Sequence, residues 1–216
     1  MTVTAELNII PPERSRPTAA PTRLLIVDDH AAVRAGLREL LADEPDFEVV
    51  ADVEGAEAAV SVAERRPVDV AVVDYQLGSR NGLWLSRKLK RLPAPPAVLI
   101  YSAYADGVLA AAAVVAEADA IVSKGRLGSE LRHEIRRIAR GGSGVRPLPE
   151  WLGDTLRGSF GHEEQAIFGM MLAGIAAPEI AQTLGLSDAE LECRLGAMLG
   201  KLEMPYRERR AVGCIG

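Results

Sequence analysis

The sequence predicts an α/β fold, a five-stranded doubly wound parallel sheet, followed by a second, smaller, all-α domain. Short apolar segments alternate five times with segments of helical periodicity over about 120 residues. Polar residues follow the ends of several apolar segments, and a glycine- and proline-rich stretch then precedes a purely helical remainder. Parallel strands need helical crossovers and are apolar throughout because helices cover both faces of the sheet.

Composition limits the class of protein. The 216 residues carry 25 Lys and Arg against 30 Asp and Glu, a formal net charge of −5, and 48% of them are hydrophobic. This is typical of a globular protein with room for one large or two small domains. The apolar stretches are too short to span a bilayer, and Cys193 and Cys214 are too few for a disulfide framework or a zinc cluster. We therefore expect a cytoplasmic protein without a membrane segment.

Four segments are predicted along the chain. Residues 1–21 contain four prolines among small polar residues and are read as a disordered leader without the apolar run of a secretory signal. Residues 22–141 form the α/β domain, residues 142–158 form a flexible linker, and residues 159–216 form the helical domain.

Each element of the first domain follows from its local pattern. Leu24 to Val27 is a wholly apolar strand, and Val33, Leu37 and Leu40 then recur at helical spacing. The predicted strands are 24–27, 47–53, 68–73, 97–101 and 118–122. The predicted helices are 33–41, 56–65, 82–92, 106–116 and 127–138.

The polar residues at the strand ends are the strongest functional signal. Asp28, Asp29, Asp74, Ser102 and Lys124 follow four strands, and ligands of open α/β sheets bind at the carboxyl ends of the strands. Two carboxylates about 4 Å apart repel each other by roughly 4 kcal/mol at an effective dielectric near 20. A hard divalent cation with oxygen ligands relieves this repulsion, which favours Mg²⁺. A carboxylate can also act as a nucleophile toward phosphorus, while Lys and Ser can contact phosphoryl oxygens.

These positions resemble the receiver domain of two-component response regulators over about residues 22–141. The resemblance is carried by Asp28-Asp29, Asp74 to Leu77 with Asn81-Gly82, Ser102-Ala103 and Lys124. It implies a flavodoxin-like sheet in which Asp74 accepts a phosphoryl group from a sensor histidine kinase, assisted by Lys124 and Ser102. It also implies that Asp28, Asp29, Asp74 and the carbonyl group of Gln76 bind Mg²⁺.

Two residues depart from the pattern of that family. Gly78 stands where a proline is usual after the acceptor, which loosens the loop. Ile121 stands on the last strand where the family often has Tyr or Phe, so the aromatic part of the family's switch is missing at that position.

The C-terminal half has the pattern of a helix-turn-helix. Pro178 suits the first position of a helix, Gly185 suits the turn, and Ser187 to Glu190 form a capping box that opens the next helix. The apolar stripe of that helix consists of Leu191, Leu195, Met198, Leu199 and Leu202. Residues 160–212 resemble the NarL/LuxR-type helix-turn-helix domain, whose members bind DNA and dimerise, so a homodimer is expected at least when the protein is active.

The recognition helix lacks the polar residues usual in that family. A projection places Ala189, Cys193, Gly196, Ala197 and Gly200 on its outward face, and residues 159–216 hold eight acids against five bases. Phosphate contacts supply much of the affinity for DNA. The cations that would make these contacts are Arg194, Lys201, Arg207, Arg209 and Arg210.

Two functions therefore stay open. The first is a phosphorylated, DNA-binding transcriptional regulator. The alternative is a phospho-switched protein-interaction module whose acidic, Ala/Gly-rich recognition helix docks on its own receiver domain or on a partner protein. We expect no enzymatic output domain, because residues 159–216 contain no Ser, His and Asp set of a hydrolase and only one histidine, His162.

Overall fold

The computed structural model describes residues 20–78, 80–103, 105–142, 145 and 160–213, with side chains described up to residue 202. The predicted disordered leader and the predicted linker lie almost entirely outside these residues. Both therefore stay predictions.

The first domain is built on a five-stranded parallel sheet, as predicted. Its strands are β1 (Thr22–Val27), β2 (Phe47–Val53), β3 (Val70–Asp74), β6 (Ala97–Ser102) and β7 (Ala120–Ser123). Their order in the sheet is β2-β1-β3-β6-β7, and every pairing is parallel. Two further short strands, β4 (Gln76–Leu77) and β5 (Arg80–Asn81), pair antiparallel beside it.

Five helices cover the two faces of the sheet. They are α1 (Ala31–Ala42), α2 (Ala56–Arg65), α3 (Gly82–Lys90), α4 (Gly107–Val115) and α5 (Gly128–Ala139). One core cluster joins the sheet to α1 and α5, and a second joins it to α2, α3 and α4. The predicted doubly wound architecture is confirmed, because helices pack on both faces of a sheet whose strands β1, β3 and β6 are mostly buried.

The strand order places a switch point between β1 and β3. The chain leaves β1 for β2 on one side and returns to β3 on the other, so the crossovers diverge at this point. Asp28 and Asp29 follow β1, and Asp74 is the last residue of β3. Ligands of doubly wound sheets bind at such points, so the topology brings the predicted carboxylates to the usual site of this fold.

A tight hairpin follows Asp74, which the sequence analysis did not predict. The β4–β5 pair reverses the chain, and the backbone N–H of Gly82 donates to the carbonyl oxygen of Tyr75 at 2.8 Å. The Asn81 side chain then caps α3 by accepting from the N–H of Trp84. A Cβ atom at Gly82 would lie 2.3 Å from the carbonyl oxygen of Asp74, so only glycine fits this approach.

The described residues of the C-terminal half form three helices: α6 (His162–Leu172), α7 (Ala177–Leu184) and α8 (Asp188–Gly213). Pro178 lies in the first turn of α7, and Gly185 ends it in the left-handed conformation at φ 65°. Ser187 and Glu190 form the predicted capping box, since the backbone N–H of each donates to the side chain of the other. The predicted helix-turn-helix is therefore present.

The two halves are in contact. Helices α6 and α8 both pack on α4 of the first domain, and the buried residues of the two halves form one continuous apolar cluster. Among the residues that the structure describes, no helix combines the length and the apolar character needed to cross a membrane.

We expect Gly82→Ala to destabilise the protein by about 1–3 kcal/mol, because the added methyl group forces the backbone next to Asp74 to move. Urea unfolding measures this change. Gly36→Ala is the matched control, since nothing lies within 4 Å of a Cβ atom there on helix α1. Equal stability of the two variants would contradict the close approach.

Candidate functional site

A lysine lies between two buried carboxylates at the switch point. Asp28 and Asp74 are 1% and 5% exposed. The ammonium nitrogen of Lys124 lies 2.6 Å from Oδ2 of Asp28 and 3.2 Å from Oδ1 of Asp74. The side chains predicted from separate strands are thus brought together, with a cation that offsets the repulsion between two buried acids.

The second acid of the Asp-Asp pair is more open to solvent. The side chain of Asp29 is 36% exposed, and its Oδ1 lies 2.6 Å from Nδ1 of His30. The backbone N–H of His30 donates to Oδ1 of Asp28 at 2.8 Å, which fixes the buried carboxylate from the other side. Sequence reasoning missed His30, although its position directly after the two aspartates was a visible signal.

The cluster has the donor set of a metal site. Ligand atoms of Asp28, Asp29, His30 and Asp74 all lie within 4.8 Å of one another. Three of the four side chains offer carboxylate oxygens, the ligands that hard divalent cations prefer. Gln76 lies two residues beyond Asp74, and its backbone N–H donates to the Asp74 carboxylate.

Burial and charge shift the ionisation of the two central groups. Burial raises the pKa of Asp74 above its usual value, and the nearby Lys124 opposes this rise while Asp28 adds to it. Burial by itself would lower the pKa of Lys124, but its hydrogen bond to Asp28 and the charges of Asp74 and Asp28 outweigh this and raise the pKa. The lysine is therefore held as a cation beside an acid that resists ionisation.

Ser102 and Lys124 come to the same edge from neighbouring strands. Ser102 ends β6 and is 2% exposed, and its carbonyl oxygen accepts the backbone N–H of Lys124 at 2.8 Å. The Tyr101 ring lies 5.9 Å from the Lys124 ammonium. Ile121, at the position where the resemblance predicts an aromatic residue, is half-buried in β7 beside Ile100.

The cations predicted to contact DNA have other partners where the structure describes them. Arg194 pairs with Glu163, and the ammonium of Lys201 lies 2.6 Å from Glu164. Both acids belong to the first turn of α6, so these pairs tie α6 to α8. The side chains of the other three predicted cations, Arg207, Arg209 and Arg210, lie outside the described residues.

The recognition helix α8 contacts the first domain through one edge. Glu192 pairs with Arg87 and Arg91, and a Cβ atom at Gly196 would lie 3.6 Å from the Arg87 guanidinium. All five small residues of the projected outward face are nevertheless exposed. The sequence analysis did not predict this ion pairing, since nothing in the pattern relates Glu192 to two arginines about a hundred residues earlier.

Stability should depend on pH through Asp74. Because the pKa of Asp74 is higher in the folded chain than in the unfolded chain, its contribution favours folding at low pH and is lost as the pH rises through the folded pKa. We therefore expect Asp74→Asn to stabilise the metal-free protein by about 1 kcal/mol at pH 7. The gain should shrink as the pH falls below the folded pKa.

Thermal unfolding in a chelating buffer between pH 4 and 8 measures this difference. Asp43→Asn, an exposed acid at the end of α1 outside the cluster, is the control. An Asp74→Asn variant that is less stable than the parent at pH 7 would show that the Lys124 pairing outweighs burial.

Comparison with known proteins identifies both halves of the chain. Residues 24–136 match the model of the response regulator receiver domain. The DNA-binding transcriptional activator DevR/DosR of Mycobacterium tuberculosis is 30% identical over 88% of this chain and 92% of its own length. The nitrate/nitrite response regulator protein NarP of Escherichia coli is 27% identical over 88% of this chain and 93% of its own length.

Solved structures are similar to the chain in fold. A LuxR-family two-component response regulator from an Aurantimonas species has a TM-score of 0.56 and 27% identity, covering 61% of this chain and 92% of its own. RcsB dimers bound to DNA have a TM-score of 0.54 and 19% identity, covering 84% of this chain and 92% of theirs. The receiver match and the full-length relatives show that this chain belongs to the response regulators of two-component systems, with a receiver domain followed by a LuxR-type helical domain.

Proposed function

We propose that this protein is a response regulator that is phosphorylated on Asp74 by a sensor histidine kinase and regulates transcription by binding DNA. The observation that carries the proposal is the placement of Lys124 between the buried carboxylates of Asp28 and Asp74. A fixed cation beside a nucleophilic carboxylate is what phosphoryl transfer requires, because charge accumulates on the oxygens of the transferred group. We expect a cytoplasmic protein that forms a homodimer when active.

In the proposed step, a carboxylate oxygen of Asp74 attacks the phosphorus of a phosphohistidine. The new P–O bond forms as the P–N bond breaks, and the imidazole leaves with its electron pair and takes up a proton. Lys124 holds the phosphoryl oxygens by charge, and the Ser102 hydroxyl at the same sheet edge donates to them. Asp74 must be ionised to attack, so its raised pKa makes the transfer faster as the pH rises through that pKa.

The carboxylate cluster fits a divalent cation, and we propose Mg²⁺. Asp28, Asp29, Asp74 and the carbonyl group of Gln76 would hold it, in keeping with the oxygen donors that the cluster offers. When bound, Mg²⁺ neutralises negative charge on the phosphoryl oxygens. The carboxylates of Asp28 and Asp74 would then face positive charge both from Lys124 and from the bound cation, which would relieve the repulsion between them.

We expect Asp74→Asn to abolish phosphorylation by acetyl phosphate in the presence of Mg²⁺, because an amide oxygen cannot form the acyl phosphate. Intact-mass measurement of a gain of one phosphoryl group checks this. Asp52→Asn, an acid on β2 that pairs with Arg34 and Arg38 outside the cluster, is the control and should label like the parent. Labelling of the Asp74→Asn variant would refute the assignment.

The DNA-binding part of the proposal is supported by the helical domain. Two relatives over most of the chain carry the names of a DNA-binding transcriptional activator and a response regulator. The helix-turn-helix turn and the capping box of α8 are formed, and the outward face of α8 is exposed. We propose Arg194, Lys201, Arg207, Arg209 and Arg210 as the phosphate contacts, which requires Arg194 and Lys201 to exchange their present acidic partners.

A specific observation favours a second candidate function, that of an interaction module. The acid Glu192 lies on the recognition helix and pairs with two arginines of the receiver domain. An acidic residue near the helix face that would contact DNA weakens phosphate binding and strengthens docking on a basic surface. In this candidate function, α8 serves as the contact between the chain's own two domains.

Two variants that change the net charge equally separate these functions. Ala189→Lys adds one positive charge on the exposed face of α8, whereas Glu192→Gln removes one negative charge from the receiver contact. If α8 reads DNA, we expect Ala189→Lys to strengthen non-specific DNA binding several-fold and to steepen its dependence on salt. Electrophoretic mobility shifts at several salt concentrations measure the effect. Gln182→Lys, at an exposed position outside α8, is the control. If neither the parent nor any variant binds DNA saturably, DNA binding is contradicted and the interaction module is the remaining function.

A further inference from the structure

Helix α4 is apolar on every side. Every residue from Val108 to Ala116 is Val, Leu or Ala, and none is more than 8% exposed. A helix that is hydrophobic all round has no solvent face and must be covered on all sides. The sheet contacts α4 through β7, and because the helix has no polar face, its sequence requires a covering surface on its other sides as well.

The chain's own C-terminal half supplies that surface. Helices α6 and α8 pack on α4. The apolar residues Phe160, Ile167, Phe168 and Leu195 belong to the same buried cluster as α4. The core of the helical domain and one core of the receiver domain are thus a single core.

Ion pairs lie at the edge of the contact between α4 and the C-terminal half, which we call the joint. These pairs, between Glu192 and the two arginines Arg87 and Arg91, form an ionic clamp. The guanidinium of Arg87 pairs with the Glu192 carboxylate and also donates to the Glu192 carbonyl oxygen at 3.0 Å. Arg91 pairs with Glu192 and lies 3.0 Å from the carboxylate of Glu117, which follows α4. The side chain of Arg87 is only 15% exposed, so this clamp is shielded from solvent more than an ordinary surface ion pair.

We propose that α4 is a permanent docking surface for the chain's own C-terminal domain and that this joint persists when Asp74 is phosphorylated. The protein then presents α8 from a fixed position, with one edge held by Arg87 and Arg91 and its small outward residues exposed. The proposal rests on the proposed function only for the phosphorylated state. The joint itself is argued from the unmodified chain.

A comparison of typical coupling effects with the effect of burying apolar side chains favours a joint that does not open. Coupling between distant sites typically changes an equilibrium by about 5-fold to 150-fold. Burial of one Val or Leu side chain shifts an equilibrium by about tenfold to a hundredfold. Separation would uncover apolar side chains on both α4 and the helical domain, so two such side chains already exceed the typical effect of a switch.

Cleavage between the domains tests the proposal. A site-specific protease sequence is inserted in the full-length chain between residues 146 and 158, and the cut protein is run on size exclusion at low micromolar concentration. We expect the two fragments to co-elute before and after treatment with acetyl phosphate and Mg²⁺. Separation of the fragments in either state would overturn the permanent joint.

Intact mass of the receiver fragment, measured in parallel, keeps the two proposals distinct. Absence of the phosphoryl group would count against phosphorylation at Asp74, while the elution of the unlabelled fragments still decides whether the joint holds. Glu192→Arg places a third cation beside Arg87 and Arg91, and we expect it to weaken association of the fragments about tenfold. Glu179→Arg, an equal charge change at an exposed site on α7, should leave association unchanged. Equal association in these two variants would overturn the clamp.

Discussion

The ammonium group of Lys124 stabilises the cluster of acidic side chains at the carboxyl ends of the strands. It lies within ion-pair distance of two carboxylates that are almost wholly buried and come from different strands. Without a cation, the buried carboxylates of Asp28 and Asp74 would repel each other in an environment of low dielectric. Protonation of one of them would then be the state of lowest free energy. With Lys124 in place, a cation and carboxyl groups lie side by side at this edge, as the proposed phosphoryl transfer and Mg²⁺ binding require.

The sheet made this site predictable from sequence. Strands that are apolar on both faces and alternate with helices are typical of a parallel sheet, and parallel strands bring their terminal residues to one edge. Asp28, Asp74 and Lys124 could therefore be placed together although they lie far apart in the chain. His30 was missed although it directly follows the two aspartates, and the β4–β5 hairpin was missed because two-residue strands leave too little pattern to recognise.

The sequence analysis raised docking of the recognition helix on the receiver domain only as an alternative, and it could not identify the residues that make the contact. Glu192 and Arg87 are 105 residues apart, and their pairing follows from how two folded units fit together. One signal for it was present, since the run from Gly107 to Val115 has no polar face. A helix without a polar face predicts a covering partner, but it does not say which part of the chain supplies that partner.

The site and the contact between the domains describe a response regulator in which Asp74, the proposed acceptor, and helix α8 belong to one connected fold. The central claim is that convergence of acids around a cation makes Asp74 the residue that is modified covalently. Borohydride reduction of the phosphorylated full-length protein, followed by peptide mass spectrometry, tests it directly, because reduction converts an aspartyl phosphate to homoserine. The account predicts homoserine at position 74; homoserine at position 28 or 29, with aspartate retained at 74, would contradict it.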